Sequence, residues 1–336
     1  MPPHATPKDD VTADARATSI LCPVCLHLGR LGPGPGGRPS ASCRRCGSLE
    51  RHRALTCLLE GAGAAVAAGS LLDVAPTPLL AGRLQALAAQ AEVTYVGMDF
   101  DPAADNRTVT LQASLTDLPL PDDSVGLMVC FHVLEHIPDD AAAMADMARV
   151  LAPGGAAVVQ VPRRPGRPTD EDPSAPVEER LRRFGQADHV RWYGDDFEDR
   201  LRAGGLSVTT LAFGDLFDAD LAFVLGIDAR EPLWLCTAGE AYDTAPLARA
   251  CDTAARDILR RGIDAAGEQQ HESDEQLRAT TKELRGARRR LERVRRERDE
   301  AQQREQHLRR RPDVRVVGAV GRRVRRVVRR RSEGRG

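Results

Sequence analysis

The chain has 336 residues, 42% of them hydrophobic and 29% charged, a balance ordinary for a globular protein and enough for one full α/β domain with smaller appendages. No run of about 18 apolar residues occurs, which argues against a membrane span, and the opening MPPHATPKDDVTADARATS lacks the apolar core of a signal peptide, so the cytoplasm is the expected compartment. The net charge of −1 hides an uneven distribution: residues 307–336 hold twelve arginines against Asp313 and Glu333, which leaves the rest of the chain acidic.

Residues 1–18 read as a disordered N-terminus, and residues 19–48 as a zinc ribbon. Cys22-Pro-Val-Cys25 is followed after seventeen residues by Cys43-Arg-Arg-Cys46-Gly47. Each CxxC can fold as a knuckle whose two thiolates face one metal, and two knuckles complete a tetrahedron around a structural zinc. The intervening GRLGPGPGGRPSAS is turn material, and Gly47 relieves strain after the second knuckle. The alternative is four unconnected reduced thiols. A thioredoxin-like redox role would need only one CxxC at a helix start. Cys57, Cys130, Cys236 and Cys251 lie in apolar or helical contexts and read as packing thiols.

From Leu49 a helix is expected, with Leu55, Leu58 and Leu59 on its apolar side. SLLDV is then a strand, LLAGRLQALAAQA a helix, and VTYVGMDF a strand ending at Asp99. VGLMVCF is a strand, DDAAAMADMARVLAPGG a helix closed by Gly154 and Gly155, and AAVVQVP a strand. FEDRLRAGG is a helix, and LSVTTLAF and EPLWLCTA are the last strands. Helices alternating with short β-rich runs predict a doubly wound, mainly parallel sheet over residues 49–240.

Asp73 after the first strand, Asp99 at the end of the second, DLPLPDDS at 117–124, VCFHVLEHI at 129–137 and RVLAPGG at 149–155 stand in the order of a known family. The region 49–240 resembles class I S-adenosylmethionine-dependent methyltransferases, nearest to the group with small-molecule and quinone methylases. CRRCGSLERHR and RFGQADHVRWYG are similar to a bacterial subgroup with an N-terminal zinc ribbon. The resemblance implies a seven-stranded Rossmann-like sheet and S-adenosylmethionine as cofactor. It also implies that Asp73 anchors the loop under the amino-acid end of the cofactor, while Asp99, with Phe100 beside it, accepts hydrogen bonds from the ribose hydroxyls. Ser114 and Leu115 fall where the family contacts adenine, and Phe131 and His132 beside the methyl-bearing sulfur. Two departures stand out: the family's G-x-G is here Ala75-Pro76-Thr77, and Ser114 replaces the usual Asp. Ala75 can approach a ligand if its φ is negative, and two prolines can stiffen a loop without glycine, so an altered but working cofactor loop is expected.

His132-Val-Leu-Glu135-His136 also matches H-x-x-E-H, the inverted zinc-peptidase motif. That chemistry needs one long helix, whereas His132 falls at a strand end and Pro138 follows, so His136 reads as a packing or helix-start residue. The connection RRPGRPTDEDPSAPVEERLRRFGQADHVRWYG is too long for a simple link and is expected to cover the site. Within it Gln186, Asp188, His189, Arg191 and Tyr193 gather donors and acceptors, with His189 as candidate base beside His132; the other reading is a solvated loop. Arg51, His52 and Arg53 follow the ribbon and can face the same cleft.

Residues 241–268 read as a helical linker. Leu277, Leu284 and Leu291 recur every seven residues, with Thr280, Ala287, Val294, Ala301 and Leu308 offset by three, which predicts a coiled coil over 269–311 and self-association; Arg298 and Glu305 at a positions leave a lone charged helix as the alternative. In the basic tail 312–336, Val317, Val320, Val324 and Val327 share a helical face, suited to an anionic membrane surface at the periphery, to nucleic-acid phosphate, or to a disordered tail. The expected activity is methyl transfer to an unknown acceptor, a saccharide or other small molecule before an RNA, with a cofactor-free scaffold as the remaining alternative.

Overall fold

The computed structural model describes residues 19–62, 69–101, 103 and 109–310. The N-terminal segment 1–18 and the basic tail lie outside them. The chain divides into two compact units, Met1–Ala266 and Gly267–Gly336.

The ribbon consists of β1 (Ile20–Leu21), β2 (Leu28–Gly29), β3 (Leu31–Gly32) and β4 (Ser42–Cys43), paired antiparallel as β1 with β2 and β3 with β4. Next come α1 (Glu50–Ala62), β5 (Ser70–Val74), α2 (Pro78–Gln90), β6 (Thr94–Asp99), β7 (Leu111–Gln112) and β8 (Val125–Phe131). They are followed by α3 (Asp140–Val150), β9 (Leu151–Gln160), β10 (Asp170–Glu171), α4 (Val177–Phe184), β11 (Arg191–Trp192) and α5 (Phe197–Ala203). The unit closes with β12 (Ser207–Ala212), α6 (Ala219–Val224), β13 (Pro232–Thr237) and the start of α7 (Thr244–Arg310).

Seven strands form one sheet in the order β12-β13-β9-β8-β5-β6-β7. The pairings from β9 to β7 are parallel, and β13 runs antiparallel to both its neighbours. Both faces are covered, which is why β5 and β8 read as unbroken apolar runs. Leu71, Leu127 and Val129 pack into one cluster with α1, α2 and α7, while Leu72, Met128 and Cys130 pack into a second with α3 and α5. The order reverses at β5, which has β6 and β7 on one side and β8 and β9 on the other. In open α/β sheets the crevice outside the carboxyl ends of such strands is where ligands bind.

Two expectations change. The helix expected to run to Gly155 ends at Val150, because Pro153 excludes the residue before it from the helical region. Leu151 already pairs with Val125, and the register slips so that Leu127 faces Ala156, with Gly154 in the left-handed region (φ 77°) inside the bulge. The helical segment expected as a linker over 241–268 instead packs its first turns into the core: Leu247, Cys251, Ala255 and Ile258 are all buried. The short elements β7, β10, β11, α4 and α6 have no counterpart in the sequence pattern.

Beyond Ala266, the residues of α7 up to Arg310 belong to the second unit. There Leu277, Leu284, Leu291 and Val294 are more than half exposed. No helix among the described residues is long and apolar enough to cross a membrane.

Candidate functional site

A cleft of 840 Å³ opens at the carboxyl ends of β5, β6 and β8. Ala75, Asp99, Phe100, Ser114, Leu115 and His132 line it, six of the residues singled out from sequence. Asp99 is almost wholly buried, and its Oδ1 accepts the Asp101 N–H at 2.9 Å, so it enters the cleft as a positioned acceptor. Phe100 stands at the rim with 75% of its surface exposed, a flat apolar face available to a planar ligand. Ser114 Oγ lies 2.7 Å from Thr116 Oγ1, and Leu115 is buried behind them.

Asp73 and Phe131 do not line this cleft. Asp73 is buried below it and accepts the Tyr95 hydroxyl at 3.0 Å; burial, with the Asp73 charge, raises the Tyr95 phenol's pKa. Phe131 packs instead against the core cluster on the α1 side of the sheet. Ala75 differs from expectation in the sign of φ, which is +54°: it occupies the left-handed conformation that glycine favours. Its N–H donates to Met98 O at 2.7 Å, which ties the loop to β6, and Pro78 opens α2 at the position where a missing N–H costs nothing.

A second cleft of 650 Å³ adjoins the first and shares His132 with it. Arg38 from the ribbon, Arg51 from α1, Arg163 beyond β9 and Arg230 before β13 line it, together with Trp192 and Glu231. Arg164 stacks over the Trp192 ring at 4.4 Å. Gln160 Nε2 donates to Glu231 Oε2 at 2.9 Å, and burial raises the Glu231 carboxyl above its usual range. Of the triplet expected at a cleft, only Arg51 lines one. Arg53 is fully buried and donates to the carbonyls of Ala41, Ser48 and Gly226. His52 Nδ1 accepts the Leu49 N–H at 3.2 Å, and burial pushes its imidazole down to about 3.

His189, expected as a base, lines neither cleft. It is 4% exposed, packs edge-on against His136 with ring centroids 4.6 Å apart, and burial lowers its pKa. It lies inside because its neighbour Arg191 is also buried and clamps the turn below the cleft. Arg191 Nη1 donates to Leu134 O at 2.9 Å and to Ile137 O, and Nη2 donates to Pro138 O at 2.9 Å. Tyr193 donates to Asp140 at 2.8 Å, and Arg200 binds the same carboxylate. Gln186 is exposed, so of this loop only Asp188 lines the first cleft.

In the ribbon, Cys22, Cys25, Cys43 and Cys46 bring their sulfurs within 4.8 Å of one another. The Cys22–Cys46 and Cys25–Cys43 sulfurs are each 3.7 Å apart, close to the roughly 3.8 Å edge of a tetrahedron with Zn–S bonds of about 2.3 Å. Ser48 Oγ stands 3.1 Å from the Cys22 sulfur and 3.3 Å from that of Cys46, a hydrogen-bonding partner behind the ligands. Gly47 takes φ 75° after the second knuckle. The other four cysteines are buried, and burial raises their thiol pKa values, to about 12 for Cys236 and Cys251.

Residues 79–159 match the family described as a methyltransferase domain. A Mycolicibacterium smegmatis protein named a probable S-adenosylmethionine-dependent methyltransferase is 38% identical over 89 residues, 23% of this chain and 35% of that one. A Mycobacterium tuberculosis protein of the same description, Rv3030, is 44% identical over 71 residues, 20% of this chain and 26% of that one. The chain therefore spans about a third or less of the length of these relatives. Among solved structures, an S-adenosylmethionine-dependent methyltransferase from Mesorhizobium loti is similar at 16% identity with a TM-score of 0.34, over 51% of this chain and 91% of that one.

Proposed function

We propose that this chain, whose residues 79–159 belong to the methyltransferase domain family, transfers a methyl group from S-adenosylmethionine to a small anionic acceptor. The observation that carries the reading is His132: it borders both the cleft at the strand ends and the arginine-lined cleft beside it. A donor in the first and an acceptor in the second meet at that side chain.

The cofactor supplies a methyl group on a positively charged sulfur, which needs alignment with the acceptor more than it needs activation. Asp99, held at the end of β6, would accept the ribose hydroxyls, and Phe100 at the rim would offer its apolar face to the adenine. Leu115 and Ser114 would line the same site. The Ala75 loop, with Asp73 buried beneath it, would hold the amino-acid end. On the acceptor side Arg51 and Arg163 hold an anionic group, and Arg230 adds charge at the rim. His132 faces the meeting point and takes the acceptor's proton where the attacking atom carries one. The four ribbon cysteines would hold a structural zinc, whose binding energy would help fold a segment too small for a core of its own.

Calorimetric titration of S-adenosylmethionine and S-adenosylhomocysteine into the full chain tests the reading. Micromolar binding is expected, weakened about 100-fold or more in Asp99→Ala, since a buried carboxylate accepting two hydroxyls contributes about 1.5–3 kcal/mol per bond. An absence of heat with folded, zinc-loaded protein would leave a cofactor-free scaffold. Salt-sensitive RNA binding would replace the small acceptor with a nucleic acid.

A further inference from the structure

Glu135 is fully buried, and neither of its carboxylate oxygens has a hydrogen-bond partner. His132 Nδ1 stands 3.3 Å from Oε1, without the alignment of a hydrogen bond. Next to it His189, also buried, has an Nδ1 with no partner. A carboxylate and an imidazole kept from water without donors or acceptors are each costly by a few kcal/mol unless something else satisfies them. His136 completes the group: one ligand atom from each of Glu135, His136 and His189 lies within 4.8 Å of the others. We propose that Glu135, His136 and His189 bind a divalent transition-metal ion in the wall of the cofactor cleft.

The donor set selects the class of ion. Two imidazoles with one carboxylate suit zinc, manganese or iron in the divalent state better than magnesium or calcium, which take oxygen ligands. Three ligands about 2.1 Å from one ion lie no more than about 3.6 Å from one another, so a pair at the 4.8 Å limit closes by about 1.2 Å on binding. Asp188 stands 3.2 Å from His136 Nδ1, which fixes the ring's tautomer and leaves Nε2 its lone pair, as a carboxylate behind a metal-bound imidazole does. The backbone is locked as well: the Val190 N–H donates to Glu135 O at 3.0 Å, and Arg191 holds the carbonyls of Leu134 and Pro138. The proposed site thus uses only Glu135 and His136 of the H-x-x-E-H signal at 132–136, with His189 as the distal ligand and His132 outside the set, on a strand-end turn rather than on a peptidase helix.

His136 and Asp188 line the cleft, so the ion sits at its wall, within reach of an oxygen ligand from a bound molecule. Three protein ligands leave positions for such an oxygen. On the methyltransferase reading, on which this role depends, that oxygen belongs to the acceptor: a cation lowers its pKa and orients it toward the methyl group. The acceptor class is then a hydroxylated molecule with an anionic group, methylated on oxygen. The metal-bound hydroxyl gives up its proton to His132, the oxygen forms the new bond to carbon, and the carbon–sulfur bond breaks to leave neutral S-adenosylhomocysteine.

Manganese is the probe, because it competes poorly for the four thiolates of the ribbon. Mn²⁺ is titrated into the full chain carrying one zinc, at the ribbon, and free ion is read by electron paramagnetic resonance, with S-adenosylmethionine binding measured on the same samples. A single saturable Mn²⁺ is expected, weakened at least tenfold in His136→Ala and His189→Ala; separate loading with excess zinc is expected to give two ions per wild-type chain and one in these variants. Asp188→Asn, whose side chain is 68% exposed, leaves the fold alone and is expected to weaken the metal roughly tenfold, which keeps the test open if a buried variant fails to fold. A wild-type chain that binds S-adenosylmethionine but neither Mn²⁺ nor a second zinc overturns the metal site and spares the function. Metal bound without S-adenosylmethionine does the reverse. Binding unchanged in all three variants also overturns the site.

Discussion

Ala75 and His132 immediately follow two neighbouring parallel strands, β5 and β8, and both hold left-handed backbone, with φ of 54° and 57°. Neither is glycine, and both line the cleft at the point where the strand order reverses. Strained backbone persists where the surroundings over-determine it, and it concentrates at functional sites. Here the Ala75 N–H is fixed to Met98 O and the His132 N–H to Gln160 O at 2.8 Å.

The strain at Ala75 predicts an unusual sign for a loop substitution. Left-handed conformation costs an ordinary residue about 1–2 kcal/mol, whereas glycine brings an unfolded-state entropy penalty of about 0.5–1 kcal/mol. Ala75→Gly is therefore expected to stabilise the chain by roughly 0.5–1 kcal/mol in urea unfolding and to leave S-adenosylmethionine affinity within about threefold. Ala75→Val is expected to destabilise it, because a β-branched residue resists this region. A less stable glycine variant would show that the loop is not strained.

His52 gives the pH dependence. Its folded imidazole titrates at about 3, below the ordinary 6.5, because burial disfavours the charged form and the neighbouring Arg51 guanidinium repels it. Between pH 6.5 and 3 the unfolded chain binds a proton that the folded chain refuses. The contribution is therefore intact above pH 6.5 and is lost as pH falls, by at most about 1.4 kcal/mol per unit. His52→Gln keeps an acceptor without the titration. The stability of the wild type relative to this variant should be flat above pH 7 and decline from pH 6.5 to 5, compared by urea midpoints. Parallel curves would remove His52 as the cause.

Arg53 joins the ribbon to the sheet domain. Its Nη1 donates to Ala41 O at 3.1 Å and to Ser48 O at 2.6 Å, and its Nε to Gly226 O at 2.8 Å. Ser48 in turn stands against the sulfurs of Cys22 and Cys46, so the guanidinium supports the cysteine knuckles through one residue. Arg53→Ala is expected to cost about 2–4 kcal/mol, as buried carbonyls lose charged donors. It should also speed zinc release to a chelator about tenfold. Cys25→Ser should abolish zinc retention at the ribbon. Stability lost with zinc retention unchanged would separate the two roles of Arg53.

The sheet was legible because its central strands are buried on both faces and so write continuous apolar runs, as in LLDV and VGLMVCF. The first cleft was legible for the same reason: its residues follow those runs directly. Of the second cleft only Arg51, expected to face a cleft, was legible. Arg38, Arg163 and Arg230 come from distant segments, the last two brought together by the β9–β13 pairing, and no local pattern marks them. His189 was misplaced because its loop is rich in charge, which suggests solvent, whereas a buried Arg191 carries that loop inside. The sign of φ at Ala75 depends on neighbours and leaves no trace in residue type.

The second unit carries the heptad prediction. Leu277, Leu284 and Leu291 expose 66%, 65% and 52% of their surface, and Val294 exposes 56%. They recur on one stripe of α7, and burying a leucine contributes about 1.5–3 kcal/mol, so a second copy of the same stripe is the natural cover. Arg298 at an a position weakens the stripe, so the expected dimer forms at micromolar rather than nanomolar concentration. Sedimentation equilibrium of the full chain should show a monomer–dimer equilibrium, and Leu284→Glu with Leu291→Glu should shift it to monomer while S-adenosylmethionine binding is unchanged. A chain that stays monomeric at 100-fold higher concentration than the expected midpoint would leave α7 a lone charged helix, held by pairs such as Arg288–Glu292 at 3.1 Å rather than by a partner.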